Sequence, residues 1–231
     1  VALASVREMG SKPFGMLLVT GPTGSGKSTT LYSLLAERND PGVNISTVED
    51  PIEYTLKGIS QTQVNREKGY DFALALRAFM RQDPDVLLVG ETRDQETAKT
   101  AIEAALTGHL VLTTLHCNDA PSAIARLSEM GVEPFMVSAS LMGIVSQRLV
   151  RRVCPDCRQP YHPSEQELGR FGLFASNEQS ITFFKARRQR DEGEAVCPSC
   201  QGLGYRGRVG VYEVLRINET LASSIAQQAS T

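Results

Sequence analysis

Residues 16–35 read MLLVTGPTGSGKSTTLYSLL: an apolar run, a turn with three glycines, then a helical pattern. No other stretch restricts the fold as tightly. Gly21, Gly26, Lys27 and Ser28 satisfy G-x-x-x-x-G-K-[ST] in full, directly after an expected strand and ahead of an expected helix. The chemistry requires these residues. Gly24 and Gly26 let the backbone turn its N–H groups inward, and the following helix directs its positive end at phosphates. Lys27 supplies a point charge for the β- and γ-phosphates, and Ser28 a hydroxyl for Mg²⁺. Gly21, Pro22, Thr23, Gly24, Ser25, Gly26, Lys27, Ser28 and Thr29 are thus the expected nucleotide cradle. The bland alternative is a glycine-rich turn with a solvated lysine, but a full match by chance has odds on the order of one in a hundred. Such a loop implies a nucleoside triphosphate and leaves its purpose open.

Up to about residue 150, short apolar runs alternate with helical patterns. MLLVTG, VNISTVED, DVLLVGE and HLVLTTLH read as buried strands. DFALALRAFMRQ places Phe72, Ala75, Leu76 and Phe79 on one helical face, and Asp83-Pro84 is expected to stop that helix. ETAKTAIEAALTG is a second helix with Gly108 at its end, and Ala123, Ile124, Leu127 and Met130 stripe a third. This alternation predicts an α/β fold with a mostly parallel sheet covered on both faces, its polar strand ends sharing one ligand-binding edge. The expected divisions are a phosphate-loop core over 1–152, a cysteine-bearing module with a charged insertion over 153–215, and a helical start over 216–231. The run KARRQRDEGE reads as a solvated loop, and the tail TLASSIAQQAST as weakly helical without a terminal cap.

Composition removes some classes. With 41% hydrophobic and 22% charged residues the chain can bury a sizeable core, and a formal charge of -2 argues against a protein that mainly coats nucleic acid. No apolar run reaches the roughly 18 residues a membrane span needs. The chain opens on Val rather than Met, so it is expected to be a piece of something longer.

Acids cluster at the expected strand ends. TVEDPIEY brings Glu49, Asp50 and Glu53 within five residues, suited to Mg²⁺ or water but also to a plain turn. DVLLVGE ends in Gly90-Glu91 where an Asp would commonly hold Mg²⁺, so Glu91 is the candidate for polarising an attacking water. A stabilising acid at a helix N-terminus is its alternative. His116 follows the HLVLTTL strand and can reach toward a γ-phosphate, whereas His109 at the other end is expected to pack the turn. Arg77 and Arg81, four apart, are expected on one helix face. With Arg93 they could stabilise transition-state charge, or simply pair with Asp83, Asp85 or Glu91.

Four of the five cysteines form two pairs, Cys154-x-x-Cys157 and Cys197-x-x-Cys200. Two such knuckles supply the closed four-thiolate shell of a structural zinc, with His162 left unused; a redox role is the alternative.

Taken together these segments resemble the secretion ATPases of the type II secretion and type IV pilus assembly family. GPTGSGKSTTLY is similar to the family's Walker A, TVEDPIEY to its aspartate box, RQDPDVLLVGETRD to its Walker B and TGHLVLTTLHCNDA to its histidine box. QRLVRRVCPDC with CPSCQGLGYRGRVGVYEVL is similar to its tetracysteine element. The resemblance implies a RecA-like core that hydrolyses ATP with Mg²⁺, carries Zn²⁺, and works as a cytoplasmic homo-hexamer against an inner-membrane platform protein. It implies water polarisation by Glu91, nucleotide sensing by His116, a metal or water role for Glu53, and phosphate-stabilising roles for Arg77, Arg81 and Arg93. No membrane span and no nucleic acid are expected. Two competing classes are a RecA-fold nucleic-acid translocase or helicase with a zinc ribbon, and a non-hydrolysing nucleotide-gated scaffold. The first lacks a basic stripe interleaved with aromatics, which make up 6% of a chain without Trp.

Overall fold

The computed structural model describes residues 2–173, 181–187 and 196–227. In chain order the elements are α1 (Ala2–Gly10), β1 (Gly15–Thr20), α2 (Lys27–Arg38), β2 (Ile45–Glu49), β3 (Ser60–Gln63), α3 (Phe72–Phe79), β4 (Val86–Val89), α4 (Gln95–Leu106) and β5 (Leu110–Leu115). There follow α5 (Ala120–Glu129), α6 (Pro134–Ser140), β6 (Leu141–Val153), β7 (Gln159–Tyr161), α7 (Glu165–Arg170), β8 (Phe183–Lys185), β9 (Tyr205–Arg216) and α8 (Glu219–Ala226). The chain divides into two units, one of residues 1–148 with 210–231, the other of residues 149–209.

The first unit is built on a sheet of order β3-β2-β4-β5-β1-β6-β9. The pairings of β1 with β5 and β6, of β2 with β3 and β4, and of β4 with β5 are all parallel. It is the expected α/β architecture with a mostly parallel sheet. Every residue of β1, β2, β4 and β5 is buried, which is why β1, β4 and β5 read as largely apolar runs, while β2 buries the polar Ser46, Thr47 and Glu49. Alternate residues feed two cores. Leu17, Val19, Ile45, Val86, Leu88 and Val145 pack with Val6 and Met9 of α1 and with Leu31, Tyr32, Leu34 and Leu35 of α2. Leu18, Val48, Leu87, Val89 and Val111 pack with residues of α3 to α6 and Ile225 of α8 on the other face.

Several local details differ from the sequence expectation. Helix α3 stops at Phe79, so Arg81 lies beyond it and does not share a helical turn with Arg77. Asp83 takes a left-handed φ of 51°, since Pro84 disfavours the helical conformation ahead of it. The C-terminal segment is more than a weak helix: Asn218 caps α8 by accepting from the Leu221 N–H, and Ile225 joins the core. Residues 210–227 therefore belong with the first unit, whereas the expected boundary stood at 215/216. Strands β3, β6 and β9 and helix α1 were not anticipated as elements.

In the second unit β7 and β8 pair antiparallel. Tyr161 and Phe171 meet Phe183 edge-on, and the Arg158 guanidinium lies 3.8 Å from the Phe184 ring centre. Ser164 and Glu167 form a reciprocal capping box at α7. Residues 188–194 of the expected charged loop, and residues 228–231 of the tail, lie outside the described residues.

Candidate functional site

Because the central strands are parallel, Thr20, Glu49, Val89 and Leu115 all end at one edge of the sheet. The phosphate loop occupies that edge between β1 and α2. Gly21, Gly24 and Gly26 hold φ of 142°, 75° and 89°, the left-handed values that turn successive amides inward. At Gly21 a Cβ would run into the Gln147 carbonyl, so the loop cannot accept a side chain there. Pro22, Thr23, Gly24 and Thr29 are exposed, while Gly26, Lys27 and Ser28 are half-buried. Ser25 is buried and its Oγ has no hydrogen-bond partner, an orphaned hydroxyl of the kind an oxygen-rich ligand satisfies.

Lys27 Nζ donates to Gly21 O at 2.9 Å and Pro22 O at 3.2 Å. Burial pulls its pKa below the ordinary lysine value, and the Glu91 carboxylate opposes that pull. The lysine and Glu91 are therefore electrostatic neighbours. Gln147 of β6 secures the loop from the other side: its Nε2 donates to Ser25 O at 2.8 Å and its Oε1 accepts from Thr30 Oγ1 at 2.8 Å. Nothing in the local sequence marks this buried glutamine, because its role depends on β6 lying beside β1.

Glu91 follows β4 and is mostly buried. One oxygen stands 2.5 Å from Arg93 and the other 3.1 Å from His116 Nε2, so the three residues form a compact cluster. Two threonine ladders fix the segment that carries it: Thr114 Oγ1 donates to Gly90 O at 2.7 Å, and the Thr92 N–H donates to Thr114 O at 2.9 Å. Gly90 has a steric reason. A Cβ there would stand 3.2 Å from both Glu49 Cα and Val48 O, so a strand-terminal Asp would have to push the β2 backbone aside by a few tenths of an ångström.

The aspartate-box acids separate sharply. Glu53 is exposed, and only its backbone N–H approaches Tyr32 Oη, at 3.4 Å. Glu49 is the acid the fold buries, at 4% exposure. Its carboxylate accepts from Tyr32 Oη, from Thr47 Oγ1 at 2.6 Å and from Gln61 Nε2 at 3.2 Å. Burial and the Glu49 carboxylate together push the Tyr32 pKa well above the ordinary phenol value. The Tyr54 ring meets Tyr32 edge-on at 4.6 Å. Tyr32 thus ties the phosphate-loop helix to the end of β2. A Tyr32→Phe variant would leave a buried carboxylate short of one donor, and a loss of about 1–3 kcal/mol is expected in chemical denaturation.

The structure does not bring the helical arginines to this cluster. Arg77 pairs with Glu96 at 2.5 Å on the surface. Arg81 is exposed and adjoins Gln82, whose carbonyl is held by Asn44 just ahead of β2, at the edge opposite the phosphate loop. His109 packs its turn, with Nδ1 2.9 Å from Ala104 O.

The four paired cysteines converge in the second unit. Their sulfurs all lie within 4.8 Å of one another, with Cys157 and Cys200 at 3.6 Å. Four sulfurs about 2.3 Å from one divalent ion stand roughly 3.8 Å apart, so the donor set fits a tetrahedral metal. Burial, then the S–H groups around it, push the Cys157 thiol up to about 12. Burial also opposes ionisation of Cys200, but the Gly204 N–H and the neighbouring thiols outweigh it and lower its thiol to about 7.

A sequence profile described as "Type II/IV secretion system protein" matches residues 2–231. The chain belongs to that family. Over 219 residues it is 52% identical to the type IV pilus assembly ATPase PilB of Thermus thermophilus, covering 95% of this chain and 24% of the relative. Over 214 residues it is 52% identical to the type II secretion system protein E of Dickeya dadantii, covering 93% of this chain and 41% of the relative. Among solved structures, it is similar to the pilus retraction motor PilT crystallised with ADP, at a TM-score of 0.68 and 35% identity, covering 96% of this chain and 53% of that one. The chain thus spans between a quarter and about two-fifths of these curated relatives' length. No helix among the described residues is long and apolar enough to cross a membrane.

Proposed function

We propose that this chain is the ATP-hydrolysing motor segment of a type IV pilus assembly or type II secretion machine, on a RecA-like core. The observation that carries the reading is the placement of Glu91, held by Arg93 and His116, on the same sheet edge as a complete phosphate loop and within electrostatic reach of its lysine. The amides of residues 21–28 and the α2 N-terminus would hold the polyphosphate, and Ser28 would offer its hydroxyl to Mg²⁺. Mg²⁺ held there would supply charge neutralisation for the polyphosphate. Lys27 would leave the Gly21 and Pro22 carbonyls for the phosphates. Both Glu91 oxygens are engaged, one by Arg93 and the other by the His116 ring, so a γ-phosphate that draws either residue away would release one oxygen to the attacking water. Water would attack the γ-phosphorus, the bond to the bridging oxygen would break toward ADP, and the water's proton would pass to Glu91. Glu49 is a second buried acid at the same edge, better placed than Glu53. Arg77 and Arg81 face solvent, where any phosphate contact would be with a neighbouring subunit.

The wider assignment follows the same line: a homo-hexamer in the cytoplasm, acting at an inner-membrane platform protein, with subunit rearrangement driven by the nucleotide cycle. The reading is tested by Mg²⁺-dependent release of phosphate from ATP, with GTP and single-stranded DNA as controls; DNA-stimulated turnover would favour a translocase instead. The cysteine cluster is assigned to one structural Zn²⁺, which lets four crowded thiols ionise together. Elemental analysis of reduced protein should give one zinc per chain, and chelation should destabilise residues 149–209 ahead of the first unit. Folded, reduced protein without metal would remove zinc from the account.

A further inference from the structure

Thr20 closes β1, stands directly ahead of the phosphate loop and is fully buried. Its Oγ1 donates to the Cys117 carbonyl at 2.9 Å and accepts from the Cys117 N–H at 2.9 Å. One hydroxyl therefore engages both main-chain groups of the residue that follows His116, just after β5 has ended at Leu115. A methyl group in its place would leave that N–H and that carbonyl without this partner.

The residues after Cys117 are held as well. The Asn118 carbonyl accepts from Ser146 Oγ at 3.3 Å and from Arg148 Nη2 at 3.2 Å. The Ala120 N–H donates to a Glu213 oxygen at 3.2 Å. Side chains of β1, β6 and β9 thus all grip the segment that leaves β5. Glu91 is fixed in a matching way, through the Thr114 hydroxyl on the Gly90 carbonyl. The His116 ring stays about half exposed while the main chain beside it is tied, so it can turn without its backbone moving.

We infer that Thr20 is a positioning residue for hydrolysis: through Cys117 it sets where the His116 ring stands between Glu91 and the γ-phosphate. The inference rests on the ATPase reading and adds the group that keeps histidine and phosphate loop at one spacing. Thr20 adjoins Gly21, whose carbonyl receives Lys27 Nζ, so consecutive residues border the lysine and hold the histidine. The ring nitrogen lies 3.1 Å from Glu91, a contact that a small shift of the 116–118 backbone would break. A misplacement of about 1 Å can cost on the order of a hundredfold in rate. Binding should feel the change far less, because the loop amides and Lys27 hold the phosphates whichever way His116 points.

The test measures phosphate release from ATP and binding of a non-hydrolysable ATP analogue, both with Mg²⁺, on the intact protein. Thr20→Val keeps the shape and suits a strand, and is expected to lower kcat about tenfold with analogue affinity within about threefold. Thr20→Ser restores the hydroxyl and should bring kcat back to within about twofold of wild type. In a His116→Ala background, Thr20→Val should cost less than about twofold more, since the two residues act as a unit. Should Thr20→Val fail to fold, Ser146→Ala loosens Asn118 without touching β1 and should lower kcat about threefold, again with no further loss once His116 is gone. Unchanged kcat in the valine variant overturns the inference, as does a full further loss in the His116→Ala background. Analogue affinity that falls in parallel with kcat also overturns it, because the hydroxyl would then serve the phosphate loop. Wild-type protein that binds the analogue but releases no phosphate removes the ATPase reading itself, and this inference falls with it.

Discussion

Glu91→Gln is expected to retain nucleotide binding within about threefold while phosphate release falls at least ~100-fold, the usual contribution of a positioned general base. The glutamine keeps the size of the side chain and can still accept a hydrogen bond from Arg93 or His116, so the cluster should hold its shape. It loses the negative charge that would polarise water, and with it the attraction that keeps Arg93 at 2.5 Å. The two readouts separate the alternatives. If Glu91 served only as a stabilising acid ahead of α4, turnover would be nearly normal and thermal stability would drop. Turnover within a factor of a few of wild type would remove Glu91 from the mechanism and direct attention to Glu49, the other buried acid at this edge.

The second large effect is expected at Lys27. Its ammonium is the only cation of the loop itself, and two charge-assisted hydrogen bonds to phosphate oxygens contribute on the order of 1.5–3 kcal/mol each. Lys27→Ala should therefore weaken binding of the ATP analogue by at least about a hundredfold. The fold should tolerate the change. Lys27 Nζ meets only the carbonyls of Gly21 and Pro22 in the described structure, and alanine is a good residue at the start of α2. Circular dichroism and the denaturation midpoint should match wild type while calorimetric titration shows no saturable heat. Unchanged affinity would mean that the loop does not hold the phosphates.

How far these expectations were readable in the sequence depended on how local the cause was. The glycines of residues 21–26 announce their backbone in the sequence, because only glycine takes those φ values without strain. Strands β1, β4 and β5 were legible because burial on both faces favours apolar runs, and β2 was legible despite its buried Ser46, Thr47 and Glu49. Strand β6 begins as a mostly apolar run but becomes mixed from Ser146 onward, and β9 is mostly exposed at the sheet edge, so neither carries a full signature. Helix α1 is short and half-exposed. For Arg77 and Arg81, a spacing of four suggested one shared face, but the helix ends between them.

The aspartate box shows the same limit within five residues. Glu49 and Glu53 look equivalent as letters, yet the register of β2 against β4 buries the first under Tyr32 and leaves the second in solvent. Gly90 likewise appeared as a missing aspartate until the closeness of Glu49 Cα supplied its cause. The phosphate loop, the alternation of buried strands and helices and the paired cysteines belong to the sequence itself, since backbone conformation, burial on two faces and knuckle geometry are each set by residues a few positions apart. Gln147 behind the loop, Tyr32 on Glu49, Thr20 on Cys117 and the meeting of cysteines 43 residues apart were decided by tertiary structure alone. Each joins elements that become neighbours only through sheet order or chain return, and no local pattern encodes which strand will lie beside which.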